Sequence, residues 1–400
     1  MEQLATADPD PRPPAQSHLA LFGRFLRFGC LAFGGPVAQI AMIRRELVEE
    51  QRWIGSDRFN RLLAVMQALP GPEAHELCVH LGIRAKGRLG GLLAGLGFML
   101  PGFVLMMALA WGYTRLPIAG SAFGALFAGV QAAVLAVIAR AVHRIGEHIL
   151  LDRWLWAVAV AAASATLAGV SFWIVLPAAG TLYALAAARR YALAALVAIA
   201  ALGLTLLTHG LAAATPVAPT TAAPAVAALF WAGLKGGLLT FGGAYTAIPF
   251  VRADTAGRGW MTDGQFLDGI GLSGILPAPL VIFVTFVGFV CGGPLGALAM
   301  TAGMFLPAFA FSLLFYERLE AVAQHRRLQH MLAGVAAAVV GVIAVTLAQL
   351  ADNAIAATPN LSVSLGIAAA ALLLVYGWRS KLATPLALAL GAAVGLVAFG

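Results

Sequence analysis

"LTFGGAYTAIPFVR" (residues 239–252) and "LAFGGPVAQIAMIRR" (residues 31–45) decide how this chain is read. Each begins as an apolar helix, then sets two adjacent glycines, a proline and a closing arginine into it. A helical glycine costs about 1 kcal/mol relative to alanine, so a plain membrane anchor has no reason to carry a pair of them. A defect that occurs twice points to a function that is built twice.

The surroundings are those of a membrane protein. Of the 400 residues 61% are hydrophobic and only 10% charged, where a soluble domain carries about 25% charged residues. Mean hydropathy is +0.90. Apolar segments run at 18–43, 59–83, 89–113, 118–142, 154–170, 172–188, 191–213, 225–250, 264–290, 294–316, 329–350, 361–377 and 382–400. Many reach the roughly 20 residues that a spanning helix needs. The expectation is an all-α polytopic membrane protein of 12 to 13 hydrophobic segments, two of them counted as candidates for re-entrant rather than spanning runs. The 45 glycines suit close helix packing in lipid.

Several classes are disfavoured. The net charge of +8 marks cytoplasmic loops rather than a nucleic-acid site. Cys30, Cys78 and Cys291 stand singly and suggest neither a disulfide framework nor a metal site. Residues 1–17 are polar and proline-rich, without the pattern of a cleaved signal, and read as a disordered tail. No P-loop or GxSxG elbow occurs, so no cofactor is expected and energy must come from an ion gradient. An enzyme would need a nucleophile that the polar clusters lack. A membrane-embedded sensor, the remaining alternative from another class, would call for a soluble output domain.

Loop charge sets the topology. Most Lys and Arg follow even-numbered segments, which places the N-terminus in the cytoplasm and the C-terminus outside. Loop 44–58 is basic on the wrong side, and that exception marks the first two segments as broken or re-entrant.

The repeat extends well beyond the glycines. Phe33-Gly34-Gly35 recurs as Phe241-Gly242-Gly243, Trp53 as Trp260 and Phe59 as Phe266. Pro70-Gly71-Pro72 recurs as Pro277-Ala278-Pro279, and "LPGF" (100–103) as "LPAF" (306–309). Seven segments precede the second copy, so the two copies should stand in opposite orientation, as in inverted-repeat secondary transporters with broken helices. The expected organisation is a first repeat at 18–145, further transmembrane segments at 146–214, a linker at 215–224, a second repeat at 225–345 and C-terminal segments at 346–400.

Candidate site residues follow from the same pairing. Arg27 and Lys235 occupy equivalent places inside apolar segments, where a cation defaults to a functional reading. Snorkelling to the interface is the alternative for Arg27. Arg45 pairs with Arg252, each equally readable as an ordinary helix-end arginine. Broken helices at Gly34, Gly35, Pro70, Gly71, Pro72, Gly242 and Gly243 would free N–H groups to hold an anion, although a packing kink explains any one of them. Glu73, His75 and Glu76, with His80 beyond, suit a proton relay, unless segment 59–83 exits early into water. Asp268 is a lesser candidate.

The series "FGGP", "RW", "ALPGPEA", "LPGF" and then "LKGGLLTFGGAYTAIPFV" resembles the long, two-domain form of the chromate ion transporter (CHR) family, in paired blocks from about residue 18 to 345. The resemblance implies a bacterial inner-membrane carrier that exports chromate on the proton-motive force and confers resistance, with sulfate as competitor. It places the family's glycine–proline elements on the breaks named above, including Pro36, Pro277 and Pro279. It also puts the basic residue on Arg27 and Lys235, and the carboxylate on Glu73. Departures are Arg27 in place of lysine, and Ala278 and Ala308 where the first half has glycine. The expected partners are chromate and the lipid bilayer, with a homodimer left open and no nucleic acid.

Overall fold

The computed structural model describes residues 11, 13–68, 70–118, 120–212, 224–316, 325–378 and 380–400. The linker expected at 215–224 lies, except for Pro224, outside the described residues, as does most of the 1–17 tail. Among the described residues there are fifteen α-helices and no strand. Helices satisfy their backbone groups internally, as lipid demands.

Four of the expected apolar segments are each divided into two legs. Segment 18–43 divides into α1 (His18–Leu31) and α2 (Gly35–Arg44), the latter prolonged by a π-turn over Arg45–Glu50. The two legs fold back on each other, because Arg24 reaches both Glu46 (3.3 Å) and Gln51 (2.6 Å). Segment 59–83 divides into α3 (Ser56–Ala68) and the first arm, 73–85, of α4 (Glu73–Tyr113). Phe59, Leu62, Leu77 and Leu81 share one core, and the charges of Arg58 and Arg84 are both felt at His80, so this pair is a hairpin too.

The second half repeats both hairpins. Helix α9 (Val226–Leu238) returns through a 3-10 turn and α10 (Ile248–Asp254). Helix α11 (Asp263–Ile275) returns through a 3-10 turn into the first arm, 283–291, of α12 (Phe283–Phe315). Cys291 thereby reaches the carbonyl of Trp260 (3.8 Å), and the Phe286 ring lies against Gly269. The sequence marked two runs as re-entrant candidates, and four segments fold back at their middle. An apolar stretch of 26 residues looks alike whether it crosses once or folds back at its middle.

Two sharp corners complete each half. Helix α4 turns at Lys86 (φ −147°, ψ 29°) and Gly87 (φ 64°, ψ −165°). Helix α12 turns with almost the same dihedrals at Gly292 (φ −150°, ψ 22°) and Gly293 (φ 63°, ψ −159°). A positive φ with an extended ψ is a conformation glycine adopts readily and L-residues avoid. Beyond the corners run the long arms 88–113 and 294–315, where Gly91 meets Leu313 and Gly95 meets Phe309. That register makes the two arms antiparallel.

The remaining helices wrap this core. They are α5 (Ala122–Ile149), α6 (Arg153–Leu167), α7 (Phe172–Ala187), α8 (Tyr191–Ala212), α13 (Arg326–Ala357), α14 (Leu361–Gly377) and α15 (Ala383–Phe399). Small residues set their contacts: Gly129 on Gly391 and Gly395, Gly334 on Ala179 and Gly180, Gly341 on Ala159. A Cβ at any of these glycines would strike backbone, so the close approach depends on its absence.

Candidate functional site

Each hairpin has its break at the apex, and the four apexes meet in crossed pairs. Gly71, in the second break of the first half, donates its N–H to the carbonyl of Thr240 in the first break of the second half (2.9 Å). The symmetry-related contact runs through Gln39, whose Nε2 donates to Ala32 O (2.9 Å) and Ala278 O (3.0 Å). Gly102 packs on Ala278 as Ala308 packs on Gly71, so "LPGF" and "LPAF" each back the other half's break. Gly34, Gly35, Pro70, Gly71, Pro72, Gly242 and Gly243 are thus brought to two neighbouring junctions.

Backbone geometry at the junctions needs glycine. Gly34 has φ 90°, Gly71 145° and Gly243 131°. A Cβ on Gly71 would meet Glu76 Oε1 at 2.5 Å, and one on Gly34 would meet the Cβ of Lys381 at 2.6 Å. Three return legs of regular helix, α2 and the arms 73–85 and 283–291, start at these breaks and present the positive ends of their dipoles there. Such an arrangement is chemically suited to an anion.

One junction carries the acidic residues singled out in the sequence. Glu73 hydrogen-bonds Gln67 and feels the charge of Arg144. Glu76 is fully buried beside Gly71, and among the described residues neither of its oxygens has a hydrogen-bond donor. His75 is held between the edges of Phe305 (4.9 Å) and Phe309 (4.6 Å), and His80 stacks on Tyr316 (4.4 Å). Both histidines therefore face the second half. Asp268 stands apart in a buried triad, accepting from Tyr113 (2.7 Å) and Gln131 (2.9 Å).

The paired cations lie elsewhere. Arg27 forms an ion pair with Glu46, and Lys235 forms one with Asp254, which also accepts from Arg258 (3.1 Å). Acid and base repeat together, because Glu46 and Asp254 are themselves counterparts. Each pair ties the two legs of one hairpin, and neither cation is brought to an apex contact. The match of Arg45 with Arg252 also needs correction. Arg252 binds Asp263 at the start of α11 in bidentate fashion (2.8 and 2.8 Å), and in the first half it is Arg44 that reaches the start of α3, through Ser56 (2.9 Å) and Asn60 (2.8 Å). Arg45 instead pairs locally with Glu50 (3.0 Å). The π-turn after Arg44 shifts the register by one residue, which sequence spacing does not display.

Three residues at the junctions escaped sequence reasoning. Gln39 is 1% exposed and bridges the halves. Arg144 reaches electrostatically to Glu73 and Tyr245, and its helix lays Ile149 on Gly242. Lys381 packs on Gly34. The last two looked like loop charges flanking apolar segments.

Broken helices that meet at the centre of an all-helical core define a multi-pass membrane transport protein. The chain belongs to the chromate transporter family, which it matches over residues 19–232 and 227–396, one region for each half. It is 62% identical to the chromate transport protein of Pseudomonas aeruginosa over 378 residues, covering 92% of this chain and 90% of that protein. To the chromate transport protein of Cupriavidus metallidurans it is 32% identical, covering 94% and 92%. To a probable chromate transport protein of Synechococcus elongatus it is 29% identical, covering 96% of each. No solved structure matches it.

Proposed function

We propose that the protein exports chromate from the cytoplasm across the bacterial inner membrane, driven by the proton-motive force, and so confers chromate resistance. The observation that carries this reading is the crossed meeting of the four breaks, which brings helix N-termini from both halves together. Family membership and the names of the relatives support chromate as the ion, and sulfate, of the same shape and charge, is the expected competitor.

In this reading Gly34, Gly35, Pro70, Gly71, Pro72, Gly242 and Gly243 shape the anion site, and Glu73, Glu76 and His75 carry protons. Arg27, Lys235, Arg44 and Arg252 hold the hairpins. The antiparallel long arms support an inverted arrangement of the two halves. The hairpins also support a cytoplasmic N-terminus, because loop 44–58 then joins 84–88 and 140–153 on one side, leaving Arg115, Arg252 and Arg258 as basic loop residues on the other.

Everted vesicles containing the protein should accumulate labelled chromate when energised, an uncoupler should abolish the uptake, and excess sulfate should compete. Uptake of sulfate alone would reassign the substrate. No uptake of either anion by a correctly inserted protein would remove the transport reading.

A further inference from the structure

Charge at the anion site comes from a place the repeat does not predict. Each crossed junction has one basic residue set over it from outside the hairpins. Over the junction of Gly71 with Thr240 stands Arg144, on α5, within electrostatic reach of Glu73 and Tyr245. Its neighbours Ile145 and Ile149 touch the Gly242–Gly243 apex. Over the junction of Ala32 with Ala278 stands Lys381, in the connection between α14 and α15, with its Cα and Cβ against Gly34. Among the described residues neither forms a side-chain ion pair, unlike Arg27, Lys235 and Arg252.

The two are carried on one frame. Tyr376, at the end of α14, lies under the Arg140 guanidinium (4.4 Å) and bonds His143 (2.8 Å), which fixes α14 to α5. Arg144 follows Arg140 by one helical turn, and Lys381 follows Tyr376 by five residues. Glu147 pairs with Arg140 (3.9 Å) and His143 (3.6 Å), leaving the outer pair uncompensated by it.

We propose that Arg144 and Lys381 are the cations that bind the transported dianion, one at each junction, and that Tyr376 positions them. The inference rests on the anion-transport reading and names the residues that supply its charge. A tetrahedral oxyanion presents oxygens in several directions, so a guanidinium and an ammonium approaching from two sides fit it. The same chemistry would serve a lipid phosphate, and the experiment separates the two.

Purified full-length protein in vesicles is assayed for chromate flux and, separately, for sulfate binding. Arg144→Gln and Lys381→Gln should each raise the half-saturating concentration about tenfold or more in both assays. Arg144→Lys should recover part of the loss, and Arg115→Gln, far along the chain on an exposed turn, should behave as wild type. Tyr376→Phe should weaken binding less than either charge deletion. Half-saturation within twofold of wild type in both glutamine variants overturns the proposal. So does loss of bound phospholipid in native mass spectra with chromate half-saturation unchanged, which would assign the pair to a lipid headgroup. If a variant misfolds, the charge-retaining Arg144→Lys and the remaining single variant decide by the same criterion. Wild-type protein that binds sulfate but moves nothing overturns transport alone; wild-type protein that neither binds nor transports overturns both.

Discussion

Lys235 and Asp254 test at the residue scale whether an intramembrane cation is structural or serves substrate. Asp254 is 5% exposed and flanked by Lys235 and Arg258, so deleting Lys235 leaves a buried carboxylate with only the more exposed Arg258 as its cation among the described residues. Breaking such a pair costs about 3 kcal/mol, whereas removing both partners is close to neutral. Lys235→Ala should therefore lower thermal stability and flux together, and Lys235→Ala with Asp254→Asn should restore both. A double variant that folds well yet remains inactive would return Lys235 to the substrate site. Gly71→Ala is a sharper lesion, since φ 145° and the nearby Glu76 oxygen both oppose a Cβ. A strain of about 1–3 kcal/mol should abolish flux while the protein still inserts, read by transport and by detergent-solubilised melting. The glycine and proline breaks were legible in the sequence because they violate the rule for an apolar helix. The partners Glu46 and Asp254 were not, because a carboxylate at a segment end becomes a neighbour of Lys235 or Arg27 only after the chain folds back.

Fold-back is the main lesson at the scale of elements. Hydropathy located nearly every helix to within a few residues, yet it showed four hairpins as four single segments, two of them candidates for re-entrant runs. The missing information is direction, which lies in backbone dihedrals at 32–35, 70–72, 239–243 and 276–279 rather than in apolar content. One clue was present: the basic loop 44–58 fell on the wrong side of a pure crossing scheme. If the hairpins are re-entrant, single cysteines at positions 52 and 87 must label from the same face of sealed vesicles, and one at position 115 from the other. Labelling of 52 and 87 from opposite faces would make α3 and the 73–85 arm one crossing and would dissolve the symmetry between the halves. The corners Gly87 and Gly293 belong to this scale too. Their matching dihedrals are a repeat that the sequence hides, since Lys86 stands opposite Gly292 and only the second residue is glycine in both.

For the whole molecule the decisive quantity is the charge that crosses the membrane in one cycle. A unit charge moved across 100 mV is worth about 2.3 kcal/mol, so a dianion leaving an inside-negative cell gains about 4.6 kcal/mol per 100 mV. The proton-motive force thus drives export through its electrical part, and each proton carried out with the dianion takes back half of that gain. On the proposed reading Glu73 sets the number of protons, because its ionised carboxylate, which feels the charge of Arg144, would compete with the dianion there, while its protonated form would leave Arg144 to the substrate. Raising the pH removes that proton and strengthens the competitor. Sulfate, a dianion throughout the neutral range, should accordingly bind more weakly to wild type as pH rises, whereas Glu73→Gln should bind it with a nearly constant half-saturation. The same variant should make flux more steeply dependent on an imposed potential, since fewer protons offset the anion's charge. A Glu73→Gln protein with wild-type pH and potential profiles would remove this carboxylate from coupling. Glu76, buried without a donor beside Gly71, would then be the group to substitute next.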